Sequence, residues 1–335
     1  MRLYTNNSLQ QLRAKSKAQL TPDIPSKIYI DLTRDCNLHC LMCRETPGRT
    51  GRTMDISLFK RIIDETCHGV TSYSLFNWGE PLLVKDFRER LIYLYNQKRS
   101  EALIDISTNG MLMDEETSKF LIEHDVEVTV SFDGANKDTF ERIRRGANYD
   151  LICRHLKTIC RIAAKMAPHR APGIYITIQR DNWNELFEIV ETVRALGVRR
   201  IGMGPVVTPK EYTVKPTKDV LSNITRAIDH AEKSGMVVDV FPTRMGEYVW
   251  DGNSYVDANR FYIDENCDAP LTCASIGWDG DVFLCCNEGE LVDNLRNKSF
   301  SDIWMGDKYQ ELRERVNTRE AMPQKCKTCP WVNRY

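Results

Sequence analysis

The sequence predicts an α/β fold built on a parallel sheet, followed by a smaller cysteine-rich part, and three observations carry that prediction. Six β-rich runs alternate with helical patterns between residues 27 and 234. Past residue 242 the alternation stops, and short apolar arms around an Asp-Gly turn replace it. The cysteines also fall unevenly: of twelve, three crowd into 36–43 and six into 267–329. Strands that alternate with helices pair in parallel with the helices packed outside. The sheet is then either open and doubly wound or a curved, partial TIM-like barrel.

Each element has its own signal. "KIYIDLT" (27–33) alternates and is β-rich, so it reads as the first strand. After a cysteine loop, "DISLFKRIIDETCHG" is helical, with Asp55 as N-cap and Gly69 as stop. "TSYSLF" (71–76) precedes a helix around 85–98, and "ALIDIS" (102–107) one around 114–124. "VEVTVSF" (126–132) precedes helical pattern at 136–144 and 150–165. "GIYITI" (173–178) leads into "NWNELFEIVETVRALG", and "VRRIGMG" (198–204) into a helix around 217–234. Beyond 242, "IGWDGDVFLCC" carries a hairpin signal at Asp279-Gly280. A two-residue turn there would pair Trp278 with Asp281, set Cys273 opposite Cys286 and turn Cys285 to the other face. "SFSDIWMGDKYQELRERV" reads as helical after its Ser/Asp start.

Composition narrows the function classes. The chain has 335 residues, with 46 basic against 47 acidic and a net charge of -1. Without a basic surplus, neither nucleic acid nor an anionic membrane is the expected partner. No run approaches a membrane span, and the opening "MRLYTNNSLQQLRAKSK" has no apolar core of a secretory signal. The expected location is cytoplasmic, where cysteine clusters hold metal or do redox chemistry rather than form disulfides. Cys153 and Cys160, seven apart on a helical pattern, read as one buried face, and Cys67 as packing at a helix end.

Ligands of parallel α/β folds gather at the carboxyl ends of the strands. The unusual residues of this chain recur there. The loop "RDCNLHCLMCRET" follows the first strand and holds Cys36, Cys40 and Cys43 in a C-x3-C-x2-C spacing. "NWGEP" follows the second and "STNG" closes the third; Ser131 and Asp133 close the fourth. Gln179 ends the fifth and "GMGP" the sixth. Taken singly, Gly-Glu-Pro and Thr-Asn-Gly are common turns. Six such segments on one rim describe a site. Three cysteines, however, leave one position of a tetrahedral zinc or a four-iron cluster without a nearby protein ligand.

"CNLHCLMC" after a first strand resembles the signature of the radical S-adenosylmethionine (SAM) superfamily. The resemblance implies a partial (β/α)6 TIM-like barrel over residues 27–242, after an N-terminal helical extension (1–26). It implies that Cys36, Cys40 and Cys43 hold three irons of a [4Fe-4S] cluster and that SAM takes the fourth. Reductive cleavage of SAM then yields a 5'-deoxyadenosyl radical that abstracts hydrogen from a C–H bond. "WGEP" resembles the family's Gly-Gly-Glu segment, with Trp78 in place of the first glycine. That puts Gly79 and Glu80 at the SAM ammonium, while Asn109 of "STNG" falls near the ribose. Ser131 and Arg144 of "ERIRRG" resemble the pair that grips the SAM carboxylate; the spacing to Gly146 favours Arg144 over Arg145. Gln179 joins the same cofactor site. Met42 stands where many relatives carry an aromatic residue.

Residues 243–335 resemble the SPASM/Twitch extensions that hold an auxiliary iron–sulfur cluster. "CDAPLTCASIGWDGDVFLCC" and "CKTCPW" imply Cys267, Cys285, Cys326 and Cys329 as ligands of one auxiliary [4Fe-4S] cluster, giving two clusters in all. Cys273 and Cys286 are left as candidate catalytic thiols. A zinc ribbon also uses a distant cysteine pair with a final C-x2-C, so a zinc-binding interaction protein is the reading outside this class. Within it, a fully ligated auxiliary cluster suits electron transfer, hence dehydrogenation of a small polar substrate such as a sugar or aminocyclitol. The alternatives are epimerisation, with a cysteine returning hydrogen, and modification of a ribosomal peptide. Only about 26 residues precede the first strand, short for a peptide-recognition domain. A reductant such as flavodoxin or ferredoxin is the implied partner.

Overall fold

A computed structural model describes residues 22–43, 50–206 and 209–240, the backbone of short strands between 244 and 257, and residues 267–329 apart from 288, 319 and 328. The N-terminal extension expected over 1–26 lies outside the described residues except for 22–26.

All six expected strands form: β1 (Lys27–Ile30), β2 (Ser72–Ser74), β3 (Leu103–Thr108), β4 (Val126–Ser131), β5 (Gly173–Ile178) and β6 (Arg200–Pro205). A seventh, β7 (Val237–Val240), was not predicted. It is a four-residue "VVDV" run with Val237 exposed, and its parallel pairing to β6 makes it a strand. The strands pair in sequence order and in parallel. The connecting helices are α1 (Ile56–Thr66), α2 (Phe87–Gln97), α3 (Glu115–Glu123), α4 (Lys137–Ile143), α5 (Tyr149–Met166), α6 (Leu186–Ala195) and α7 (Lys218–Lys233). Side chains of Asp55, Asp114, Asn136, Asn148 and Thr217 cap the helices they precede, satisfying backbone donors that lack a partner in the first turn.

Strand alternation divides the sheet into two faces. Ile104 and Ile106 of β3, Val126, Val128 and Val130 of β4, and Ile174, Ile176 and Ile178 of β5 are fully buried. Ile152, Leu156 and Ile159 of α5 belong to the same core cluster. Each such side chain contributes about 1.5–3 kcal/mol by leaving water. The other face is the inner face of the barrel, and it is polar. Lys27, Tyr29, Asp105, Glu127, Thr129, Tyr175 and Arg200 lie on it, half-buried. Ser74 donates to both oxygens of Asp105 (2.8 and 2.7 Å), which also pairs with Lys27 at 3.3 Å. Arg200 reaches Glu127 by passing over Gly173, where an added Cβ would stand 2.8 Å from its Nε.

The cysteine-rich part is not a separate layer. Three short strands, β8 (Arg244–Met245), β9 (Tyr248–Trp250) and β10 (Tyr255–Asp257), make a small antiparallel sheet. Then β11 (Cys273–Ile276) pairs in parallel with β1, and β12 (Asp281–Phe283) and β13 (Leu291–Asn294) follow it antiparallel. The result is one ten-stranded sheet with β13 and β7 at its edges. Helices α8 (Phe300–Trp304) and α9 (Asp307–Val316) close over the hairpin. Buried Arg313 of α9 donates to the carbonyls of Pro270 and Trp304 and stacks on the rings of Trp304 and Tyr309.

The hairpin corrects one expectation. Ser275 pairs with Phe283 and Ile276 with Val282, and the Gly277 N–H donates to the Asp281 carbonyl at 2.8 Å. The turn therefore holds three residues, Trp278, Asp279 and Gly280, not two. Gly280 takes φ +90°, the left-handed residue that closes a three-residue hairpin. The register of these pairs shifts by one; β12 ends at Phe283, before the cysteines, and Cys273 has both Cys286 and Cys285 beside it.

Candidate active site

The expected residues of the N-terminal site meet on the carboxyl rim of β1–β5. The cysteine loop is fastened from both sides. Asp35 accepts from Thr50 N, Thr50 Oγ1 and Gly51 N at 2.8–2.9 Å, which folds the loop's return limb back. His39 N–H donates to the Arg145 carbonyl and Leu41 N–H to that of Ile143, at 2.8 and 2.9 Å. Glu80 N–H donates to the Asp35 carbonyl at 2.9 Å. Gly79 lies so close beneath the loop that a Cβ would sit 2.0 Å from the Thr33 oxygen, so only glycine fits there.

Glu80 is a buried hub. Its carboxylate accepts from Thr108 Oγ1 (2.7 Å), Asn109 N (2.8 Å) and Leu82 N (3.2 Å). Burial pushes its carboxyl above the ordinary carboxylate range, and those hydrogen bonds pull against the rise. It thus ties the end of β2 to the end of β3. Glu80→Ala would strip these donors of their acceptor. Stability is expected to fall by about 2–4 kcal/mol, the scale of losing charged, buried hydrogen bonds, read as a lower denaturant midpoint in the reconstituted protein.

Two of the three thiols receive donors. Asn109 Nδ2 lies 3.9 Å from Cys36 Sγ and 2.8 Å from Asn37 Oδ1. Arg144 NH1 lies 3.9 Å from Cys40 Sγ. Arg144 is 7% exposed, whereas Arg145 is exposed at the surface. Arg144 NH2 pairs with the fully buried Asp133 at 2.6 Å, and Asp133 accepts from Thr177 N at 2.7 Å. Burial pushes the Cys40 thiol up to about 11 against the pull of Arg144. The sequence reading noted Asp133 at its strand end but missed this pairing, because ion partners 11 positions apart across a loop leave no periodic signal. Ser131 stands half-buried at the end of β4.

Whether these residues fit SAM and a cluster can be tested on unpaired polar atoms. Gln179 is fully buried, yet neither its Nε2 nor its Oε1 has a hydrogen-bond partner; Arg144 Nε and Asn77 Nδ2 are also buried and unpaired. Each such atom costs roughly 1–3 kcal/mol unless a ligand meets it. Three thiols with donors aimed at two of their sulfurs, on a strand-end rim that also carries unpaired buried amide and guanidinium groups, suit a thiolate-bound cluster and a polar cofactor. They fit.

Five C-terminal cysteines, Cys273, Cys285, Cys286, Cys326 and Cys329, neighbour one another at the other end of β1. Cys273 opens β11 opposite Lys27, the first residue of β1; Cys285 and Cys286 follow β12. Burial pushes Cys326 up to about 11, with Cys285 and Cys329 adding to the rise. Burial likewise pushes Cys286 up to about 11; Cys285 adds to this, and a hydrogen bond from Tyr29 opposes it. Cys267 is held by its N–H to Asn317 Oδ1 (2.7 Å) and its carbonyl from Asn317 Nδ2 (3.2 Å). Among the described residues no three His, Cys, Asp or Glu side chains converge closely enough for a single metal ion; a cubane spreads its ligands over a larger body. Cys67, Cys153 and Cys160 are half-buried against the apolar core.

Family comparison decides the identity. A model of the radical SAM superfamily matches residues 30–166, and one of the SPASM iron–sulfur cluster-binding domain matches residues 267–330. The chain is a radical SAM enzyme with a SPASM domain. Its radical SAM domain implies a [4Fe-4S] cluster and SAM, and its SPASM domain implies further iron–sulfur binding. The mycofactocin maturase MftC of Mycolicibacterium smegmatis is 26% identical over 312 residues, covering 87% of this radical SAM chain and 73% of that one. The Fe-coproporphyrin III synthase of Methanosarcina barkeri is 24% identical, covering 94% and 83%. Among solved structures, Streptococcus suis SuiB bound to S-adenosylmethionine superposes with a TM-score of 0.69 at 18% identity, covering 98% and 79%. That likeness bears out the partial TIM barrel. No described helix of this radical SAM enzyme is long and apolar enough to cross a membrane.

Proposed function

We propose that this radical SAM enzyme dehydrogenates a small polar substrate, such as a sugar or aminocyclitol, held on the inner face of the barrel. Cys267, Cys285, Cys326 and Cys329 would hold an auxiliary [4Fe-4S] cluster, which would supply the electron acceptor that such an oxidation needs. With SAM bound, the N-terminal cluster supplies a carbon radical able to take hydrogen from a C–H bond. The rim residues do the holding. Gly79 and Glu80 shape the turn whose acceptors receive the SAM ammonium. Asn109 stands by the ribose, Ser131 and the unpaired Arg144 Nε meet the carboxylate, and the Gln179 amide completes the pocket.

The observation that carries this reading is the join between β11 and β1. It sets Cys273 beside Lys27, with Cys286 near Tyr29, on the same inner face that carries Asp105, Glu127 and Arg200. Cys286 in turn neighbours Cys285 and Cys329, two of the proposed auxiliary ligands. The hydroxyls, carboxylates and cations of that face suit a substrate rich in hydroxyl and amino groups.

A second reading has its own support. Cys286 lies beside Tyr29 of the inner face, where a thiol could return hydrogen to the substrate in an epimerisation. Streptococcus suis SuiB, solved also with its precursor peptide SuiA, keeps a peptide substrate as a third outcome. The test screens sugars, aminocyclitols and candidate peptides for stimulated release of 5'-deoxyadenosine. The active compound is then run in deuterated buffer with Cys286→Ala and Cys273→Ala separately. A product two hydrogens lighter, formed by both variants, is expected. Solvent deuterium at the product carbon, lost with turnover in either variant, would overturn dehydrogenation.

A further inference from the structure

We propose that the buried Arg144–Asp133 pair sets the reduction potential of the N-terminal site by placing a half-neutralised cation on the Cys40 sulfur. This is a positioning role, distinct from any grip of Arg144 on SAM.

The three thiols are not equivalent. Cys36 meets the neutral amide of Asn109, Cys40 meets a guanidinium edge, and Cys43 is exposed to solvent. Arg144 has one edge for each task. NH1 points at Cys40 Sγ (3.9 Å), NH2 at Asp133 (2.6 Å), and Nε is unpaired. The guanidinium side chain is 8% exposed and that of Asp133 0%, so solvent screens their fields little. Asp133 is itself held by Thr177 N–H from β5, so its charge has a fixed position.

An electron that arrives from an external reductant adds one negative charge, shared between the irons and the thiolate sulfurs. A donor with positive charge beside one sulfur favours the reduced form, and hydrogen bonds to the sulfurs are among the levers that set such potentials. The nearby carboxylate works the other way. Asp133 therefore keeps the site from becoming too easily reduced while Arg144 keeps it reducible at all.

The experiment is a set of electron paramagnetic resonance spectra at poised potentials, recorded on the reconstituted full-length enzyme without SAM. The N-terminal signal is recognised afterwards as the one that SAM alters, and the auxiliary signal serves as internal reference. Arg144→Gln is expected to lower the reduced-to-oxidised ratio of the N-terminal site at least tenfold at a fixed potential, which is 59 mV for one electron. Arg144→Lys should recover part of that shift, and Asp133→Asn should move it the opposite way. The inference fails if the N-terminal potential of Arg144→Gln equals that of the unmodified enzyme. It also fails if Asp133→Asn shifts in the same direction as Arg144→Gln. Should Arg144→Gln not assemble its N-terminal cluster, Asp133→Asn decides alone: easier reduction supports the pair, and an unchanged potential overturns it.

Discussion

Replacing Cys36, Cys40 and Cys43 together by Ala is expected to halve the iron of the reconstituted enzyme and abolish SAM cleavage. Two cubanes carry about eight irons and one about four. The loss should be clean, because the cysteines do not hold their own loop in place. Asp35 ties it to Thr50 and Gly51, the carbonyls of Ile143 and Arg145 take two of its N–H groups, and Glu80 N–H reaches the Asp35 carbonyl. The triple variant should therefore fold and keep its auxiliary iron. Colorimetric iron and chromatographic 5'-deoxyadenosine give the two readouts. Full iron in the triple variant would show that the loop does not bind a cluster.

Replacing Cys326 and Cys329 together by Ala is expected to give the complementary result. Iron should again fall to about four per chain, 5'-deoxyadenosine should still be released, and product should disappear. The two losses separate because the thiols occupy opposite ends of one sheet. Cys36 follows the carboxyl end of β1, whereas Cys273 pairs with Lys27 at its amino end. Cleavage needs only the first group. An oxidation needs both, since the substrate must also lose an electron. Wild-type product yield from the double variant would remove the auxiliary cluster from the reaction.

Much of the rim was legible in the sequence because strand ends are legible. Alternation marks where a strand runs, and in a parallel sheet every strand's carboxyl end lies on the same side, so Gly79, Glu80, Asn109, Ser131 and Gln179 converge without knowledge of any contact. Their bonding was not legible. Thr108 and the backbone of Asn109 take up much of the Glu80 carboxylate, and Asp133 takes one edge of Arg144. Such partners are chosen by the distance between loops, which no periodicity encodes. The hairpin is a sharper case. Asp279-Gly280 signals a turn, but one extra residue in the loop shifts the facing pairs of the short ladder it closes, and Gly280's positive φ shows itself only in the folded chain.

By itself, the sequence determined the parallel βα rhythm, the cysteine loop after the first strand and the run of polar residues at the strand ends. All three are local: side-chain alternation, spacing along one loop and the chemistry of turns. Only the tertiary structure decided that β11 docks on β1. That contact joins segments some 250 positions apart, and it exists because a first strand left with an open edge must satisfy its backbone groups. That edge pairing brings Cys273 beside Lys27 and Cys286 near Tyr29, at the amino end of β1, so that the two cysteine groups lie at opposite ends of one sheet.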